Sequence, residues 1–126
     1  MNSPQQEIYD AVFKTCLDLG YSTFDYLPPD KTKLPFVFVG EQFDQDRNTK
    51  SVIFGDVQQS IHIYGTIRQR SQITQMINAI RYELRKLKKT KHFHVTAKQI
   101  NGQILPDNTT SQPLLHGLVE VDFTFN

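Results

Sequence analysis

Two stretches of strict alternation, VQQSIHIYG at residues 57–65 and LLHGLVEVDFTF at 114–125, constrain this chain more than any other feature. Successive side chains of a strand point to opposite faces, so a period of two sorts residues by face. In the first stretch Val57, Gln59, Ile61 and Ile63 share one face, and Gln58, Ser60, His62 and Tyr64 share the other. In the second, Leu115, Val119, Val121, Phe123 and Phe125 point inward while His116, Glu120, Asp122 and Thr124 point outward. One face suits a core; the other suits water or a partner. That is the pattern of an antiparallel sheet covered on one side only.

Two amphipathic segments supply the cover. Ser3-Pro4-Gln5-Gln6 reads as a helix start, with Ser3 as cap, Pro4 in the first turn and Gln6 reaching back as in a capping box. Ile8, Ala11, Val12, Thr15 and Leu19 then follow a 3.6-residue period, and Gly20 is a natural stop. The second helix is expected to be capped by Ser71 and to present Ile73, Ile77, Ile80, Leu84 and Leu87 on one stripe. Its last turn would carry Arg85, Lys86, Lys88 and Lys89, where the helix dipole favours cations.

The remaining apolar segments read as strands. Pro35 opens one over Phe36 to Gln42, and another runs from Phe93 to Ile100. A short extended piece is expected within Tyr21 to Tyr26, inside a Pro-containing connector. A long polar arm separates Gln42 from Val57, and Asn101 to Pro113 forms a second polar loop. The predicted fold class is α+β, in the order α-β-β-α-β-β: two β-hairpins with long loops in one sheet, and two helices packed on one face. The sheet's other face, with Ser60, His62, Tyr64, Thr96, Glu120 and Thr124, would be left bare.

The 126 residues suit a single domain spanning residues 1–126. A net charge of +1 gives no global attraction for nucleic acid or anionic membrane. Apolar runs such as Phe36 to Val39 fall far below the roughly 20 residues that cross a bilayer. The first residues lack the basic-then-apolar order of a signal peptide. Cys16 is the only cysteine, which leaves no internal disulfide and no cysteine-based zinc site. A soluble domain of a reducing cytoplasm is the expectation, with Cys16 as core filler.

Signatures of hydrolases and nucleotide-binding loops are absent, so no catalytic residue and no cofactor is assigned. His92 and His94 would share a strand face and begin a metal site, but a third ligand would have to come from His62, His116 or a carboxylate. Asp44 and Asp46 open like a calcium loop, yet Thr49 stands where glycine is needed and no glutamate closes it. The basic run RYELRKLKKTK at 81–91 lacks interleaved aromatics and reads first as a solvated helix end. Contact with DNA or an acidic partner through Arg85, Lys86, Lys88 and Lys89 is the alternative.

LPFVFVGEQ, the alternating GDVQQSIHIYG with His62 before its aromatic, the Ser71–Leu87 helix and the closing LLHGLVEVDFTF together resemble the tail terminator proteins of long-tailed bacteriophages. These are also called tail completion or head–tail joining proteins. The resemblance spans nearly the whole chain. It implies a small structural domain without catalysis that assembles as a homo-hexameric ring. That ring would cap the major tail tube protein, end its growth and present a surface to the head connector, with DNA passing through its channel. The implied location is the head-proximal end of the virion tail, assembled in the host cytoplasm, with no membrane or small-molecule substrate involved. On this reading the arms contact neighbours through Phe43, Asp44, Asp46, Arg47, Asn48, Lys50, Ile53 and Phe54 in the first loop, and Asp107, Asn108 and Thr109 in the second. The apolar Phe43, Val52, Ile53 and Phe54 favour contact, since free loops rarely display so many large apolar groups. Competing readings are an adaptor that binds a protein through the bare sheet face, or a small metal-dependent enzyme using His92 and His94.

Overall fold

The computed structural model describes residues 3–46 and 55–126. Its elements are α1 (Pro4–Asp18), β1 (Thr23–Phe24), β2 (Phe36–Asp46), β3 (Gly55–Thr66), α2 (Arg70–Lys86), β4 (Val95–Asp107) and β5 (Leu114–Phe125). The strands form one sheet in the order β1-β2-β3-β5-β4. All neighbours are antiparallel except β1 and β2, which run parallel. The α+β class, the two hairpins and the two helices agree with the sequence reading. The short piece at Thr23–Phe24 adds a fifth strand to the expected order.

Both helices lie on the face carrying Val37, Val39, Val57, Ile61, Ile63, Val119, Val121 and Phe123, all of them buried. From α1 come Ile8, Val12 and Cys16; from α2 come Ile73, Met76, Ile77, Ile80 and Leu84. Two glycines let α2 settle onto the sheet. A Cβ on Gly65 or Gly117 would approach Ile73 to 2.8 Å, so only hydrogen fits beneath that helix.

Helix ends explain where α1 begins and stops. The Ser3 hydroxyl accepts from the Gln6 N–H as expected of a cap, but the Gln6 side chain donates forward to Asp10 and not backward. At the other end Gly20 has φ 90°, its N–H bonding Leu17 O while the Tyr21 N–H bonds Cys16 O. That pair of bonds satisfies carbonyls the helix leaves open, in a geometry glycine adopts without strain. The start of α2 differs from expectation. A 3-10 turn over Ile67–Gln69 precedes it, the Gln69 side chain accepts from the Thr66 N–H, and Ser71 lies inside the helix. Lys88 and Lys89 fall beyond its end, so only Arg85 and Lys86 occupy the last turn.

The largest differences concern the loops. β2 runs four residues past Gln42, so Phe43, Asp44 and Asp46 belong to a strand and not to an arm. β4 continues to Asp107, which shrinks the second loop to 108–113. Both extensions are hydrogen-bonded to a central neighbour, and that backbone ladder outweighs their polar composition.

Candidate functional site

On the uncovered face, a row of rings crosses the sheet. Phe24 meets Phe36 edge-on, Phe36 lies against Tyr64 at 5.3 Å between centroids, and Tyr64 stacks on His116 at 4.6 Å. His116 stacks on His62 at 4.9 Å, and His62 on Phe38 at 5.4 Å. A hollow of about 440 Å³ opens at the end of this row, between the Leu27–Pro29 connector and the 108–113 turn, with Phe36, Tyr64 and Leu114 in its lining.

The row owes its centre to a β-bulge. Pairing of β2 with β3 is regular to Val39↔Ile61 and resumes at Gln42↔Gln59, leaving Gly40 and Glu41 as the irregular residues. Two consequences follow. The freed carbonyls of Gly40 and Glu41 accept from the side chain of Gln59, which is fully buried and whose Oε1 accepts from Gln42. On the opposite face Gly40 makes room for the His62 ring, which a Cβ would approach to 2.9 Å.

Glu41 then reaches His62, with its Oε1 2.6 Å from Nε2, while His62 Nδ1 lies 2.7 Å from His116 Nε2. The hydrogen bond from His62 holds the Glu41 carboxyl below its ordinary range. With Glu41 ionised, His62 Nε2 carries a proton and donates to it. His62 Nδ1 must then either accept from His116 or donate to it. The pair of rings accommodates one extra proton, because a second would set two N–H groups head-on across 2.7 Å. Burial pushes His116 below the usual imidazole value, and the neighbouring His62 charge adds to that shift. Both effects favour the neutral form of His116.

A second carboxylate–imidazole pair involves the first turn of α1. Glu7, buried in the first turn of α1, accepts from the Thr90 hydroxyl, the His92 N–H and His92 Nδ1, the last at 2.6 Å. It ties α1 to the segment between α2 and β4. Burial pushes its carboxyl up, but the bonds from His92 and Thr90 more than offset this and hold it at about 2.

His92 and His94, the pair of the competing metal-enzyme reading, are used otherwise: His92 is committed to Glu7, and His94 pairs its backbone with Asn126 outside the named strands. Among the described residues no cluster of three or more His, Cys, Asp or Glu is placed to hold a metal ion. Asp44 sits on β2 and accepts from Gln5, so the calcium-loop reading loses its first ligand to a strand. Phe43 is 68% exposed on the uncovered face. Asp107 accepts from the Thr109 N–H and hydroxyl, closing the start of the 108–113 turn beside Asn108. Arg47, Asn48, Lys50, Val52, Ile53 and Phe54 lie outside the described residues. Arg85, Lys86, Lys88 and Lys89 are exposed, with Lys86 paired to Glu83 at 3.1 Å and set over the Tyr82 ring.

Sequence reasoning placed His62 and His116 on the outward face but missed their union with Glu41. The available signal was GEQ opposite SIH across a hairpin, which becomes legible only once the bulge fixes the register. Glu7 carried no such signal, since an acid in a first helical turn ordinarily faces water.

No family model and no curated protein matches this chain. Among solved structures, a chain from the "Virion of native gene transfer agent (GTA) particle" is similar with a TM-score of 0.66 at 11% identity. The likeness covers 98% of this chain and 96% of that one. At that identity it establishes a shared fold.

Proposed function

We propose that this chain is a structural virion protein of the tail-terminator kind, without catalytic activity. Six copies form a ring that caps the tail tube, ends its polymerisation and joins the tail to the head connector. The observation that carries this reading is the fold shared along nearly the full length of both chains with a component of a virion particle. It acts together with the tail-terminator pattern of the sequence. A separation of charge adds support. The strands hold Glu41, Asp44, Asp46, Asp56, Asp107, Glu120 and Asp122, against Lys98 as the one lysine or arginine, with Asp44 turned to α1. The turn and helix on the other side hold Arg68, Arg70, Arg81, Arg85 and Lys86, against Glu83 alone. A near-neutral protein thereby offers a predominantly acidic sheet and a basic outer helix. An acidic channel wall repels the DNA that must slide past it, while the exposed Arg85, Lys88 and Lys89 face outward toward an acidic neighbour.

The test is a count. Tails assembled with this protein, imaged by electron microscopy, are expected to carry six copies at the head-proximal end. A different copy number, or a position elsewhere in the particle, overturns the reading. An adaptor that works as one copy would remain a monomer at every concentration in light scattering.

A further inference from the structure

One edge of the sheet, that of β4, lacks the usual protection over a long stretch. β4 is an edge strand of thirteen residues. Its stretch from Gln99 to Leu105 contains no charge, no proline and no break in register, and most of it is exposed. Natural sheets blunt such edges with charges, prolines or bulges, because unpaired N–H and C=O groups recruit another strand. Here those devices lie outside that stretch, at the Lys98 irregularity and at Pro106. At the opposite side β1 covers β2 only at Val37 and Phe38, so among the described residues no strand lies on the outer side of Gln42 to Asp46.

We infer that the β4 edge of one copy pairs with the β2 edge of a second copy, joining the sheets of the proposed ring into one continuous wall. The inference rests on the ring reading and specifies its contact. Three observations select a second copy as the occupant. The edges differ in charge: Glu41 to Asp46 carries three carboxylates and no cation, whereas Val95 to Pro106 carries Lys98 and no carboxylate. Each edge also displays a large apolar side chain on the uncovered face, Phe43 at 68% exposure and Leu105 at 43%, which pairing would cover. Direction agrees as well. β2 and β4 are separated by β3 and β5 in an antiparallel series, so they run opposite ways within one sheet. Rotation about a ring axis preserves the sense of every strand, and β4 therefore meets the next copy's β2 antiparallel. A contact between two different edges is heterologous, the kind that closes into rings.

The experiment compares backbone hydrogen exchange in the monomer and in the assembled ring. Peptides covering 99–105 and 42–46 are expected to become protected on assembly. A triple variant, Gln99→Glu, Asn101→Glu and Gln103→Glu, adds three acids to the uncovered side of the β4 edge and removes the charge difference between the two edges. It should weaken association about tenfold or more at each contact. Circular dichroism of the variant monomer checks that it folds; if it does not, the wild-type exchange pattern decides alone. A six-membered ring with neither edge protected, or one that the folded triple variant forms as readily, overturns the edge pairing and leaves the ring standing. Protein that assembles neither free nor on tails overturns the ring reading and this contact with it.

Discussion

Glu7–His92 and Glu41–His62 are bonded at the same 2.6 Å, yet their burial is reversed. In the first the carboxylate is buried (6% exposed) and the imidazole half in water at 54%. In the second the carboxylate is 71% exposed and the imidazole 11%. A short bond therefore says little about its worth. Removing the partner of a buried carboxylate leaves a charge that water cannot reach, whereas an exposed carboxylate resolvates and its loss costs little. The buried acid is a structural pin; the exposed one orients a ring on a working surface.

Five variants test this contrast, starting with a ruler. Leu84→Ala, at a fully buried site on α2, should destabilise by about 2–5 kcal/mol in denaturant unfolding. If either polar pair exceeds that figure, the apolar core is not the dominant element. Glu7→Gln should come next, with a loss below that of Leu84→Ala but clearly above that of Glu41→Gln. It also has a pH signature. The folded carboxyl lies near 2 against an ordinary 4.5, so its stabilising effect is complete above pH 4.5 and disappears as pH falls toward 2. Thermal melts across that window should show a decline in the wild type that is weaker in Glu7→Gln; identical slopes would remove the pin. Gly40→Ala comes third, at about 1–3 kcal/mol, because its methyl meets the His62 ring at 2.9 Å and the ring must shift. Its expected mark is a changed His62 resonance in the NMR spectrum of a folded protein. The smallest effect is Glu41→Gln, under about 1 kcal/mol in the same unfolding assay. His116 sharpens this last comparison. Its folded value lies below the ordinary 6.5, so the stability it contributes is present above pH 6.5 and diminishes as pH falls through the folded value. A His116→Gln variant should flatten that part of the curve without touching the window below 4.5.

How much of this was legible depended on how deeply each element is buried. The α2 stripe and the β5 alternation were read correctly because each has one dry and one wet side, and composition records that difference. The outer half of β2 and the second half of β4 were read as loops. Both form edges, with water on more than one side, so FDQD and NGQILPD need not alternate. Only the ladder to a neighbouring strand identifies them, and that bond is invisible in composition. Gln59 stood among apolar neighbours as an apparent misfit; its reason, the unpaired carbonyls of the bulge, belongs to β2. The face of the candidate site was legible, but the link from Glu41 through His62 to His116 was not, since it crosses three strands.

The irregularity at Gly40–Glu41 also works as a change of reading frame. Before it, Phe36 and Phe38 look outward; after it, Phe43 and Gln45 do, because the one extra residue swaps odd for even. Had the alternation continued unbroken, Phe43 would lie beneath the helices and Gln42 would face water, a more conventional distribution of oil and polarity. Deleting one residue here should therefore give a chain that hides its phenylalanine and surrenders its outward edge. The odd spacing keeps a greasy side chain on the uncovered face.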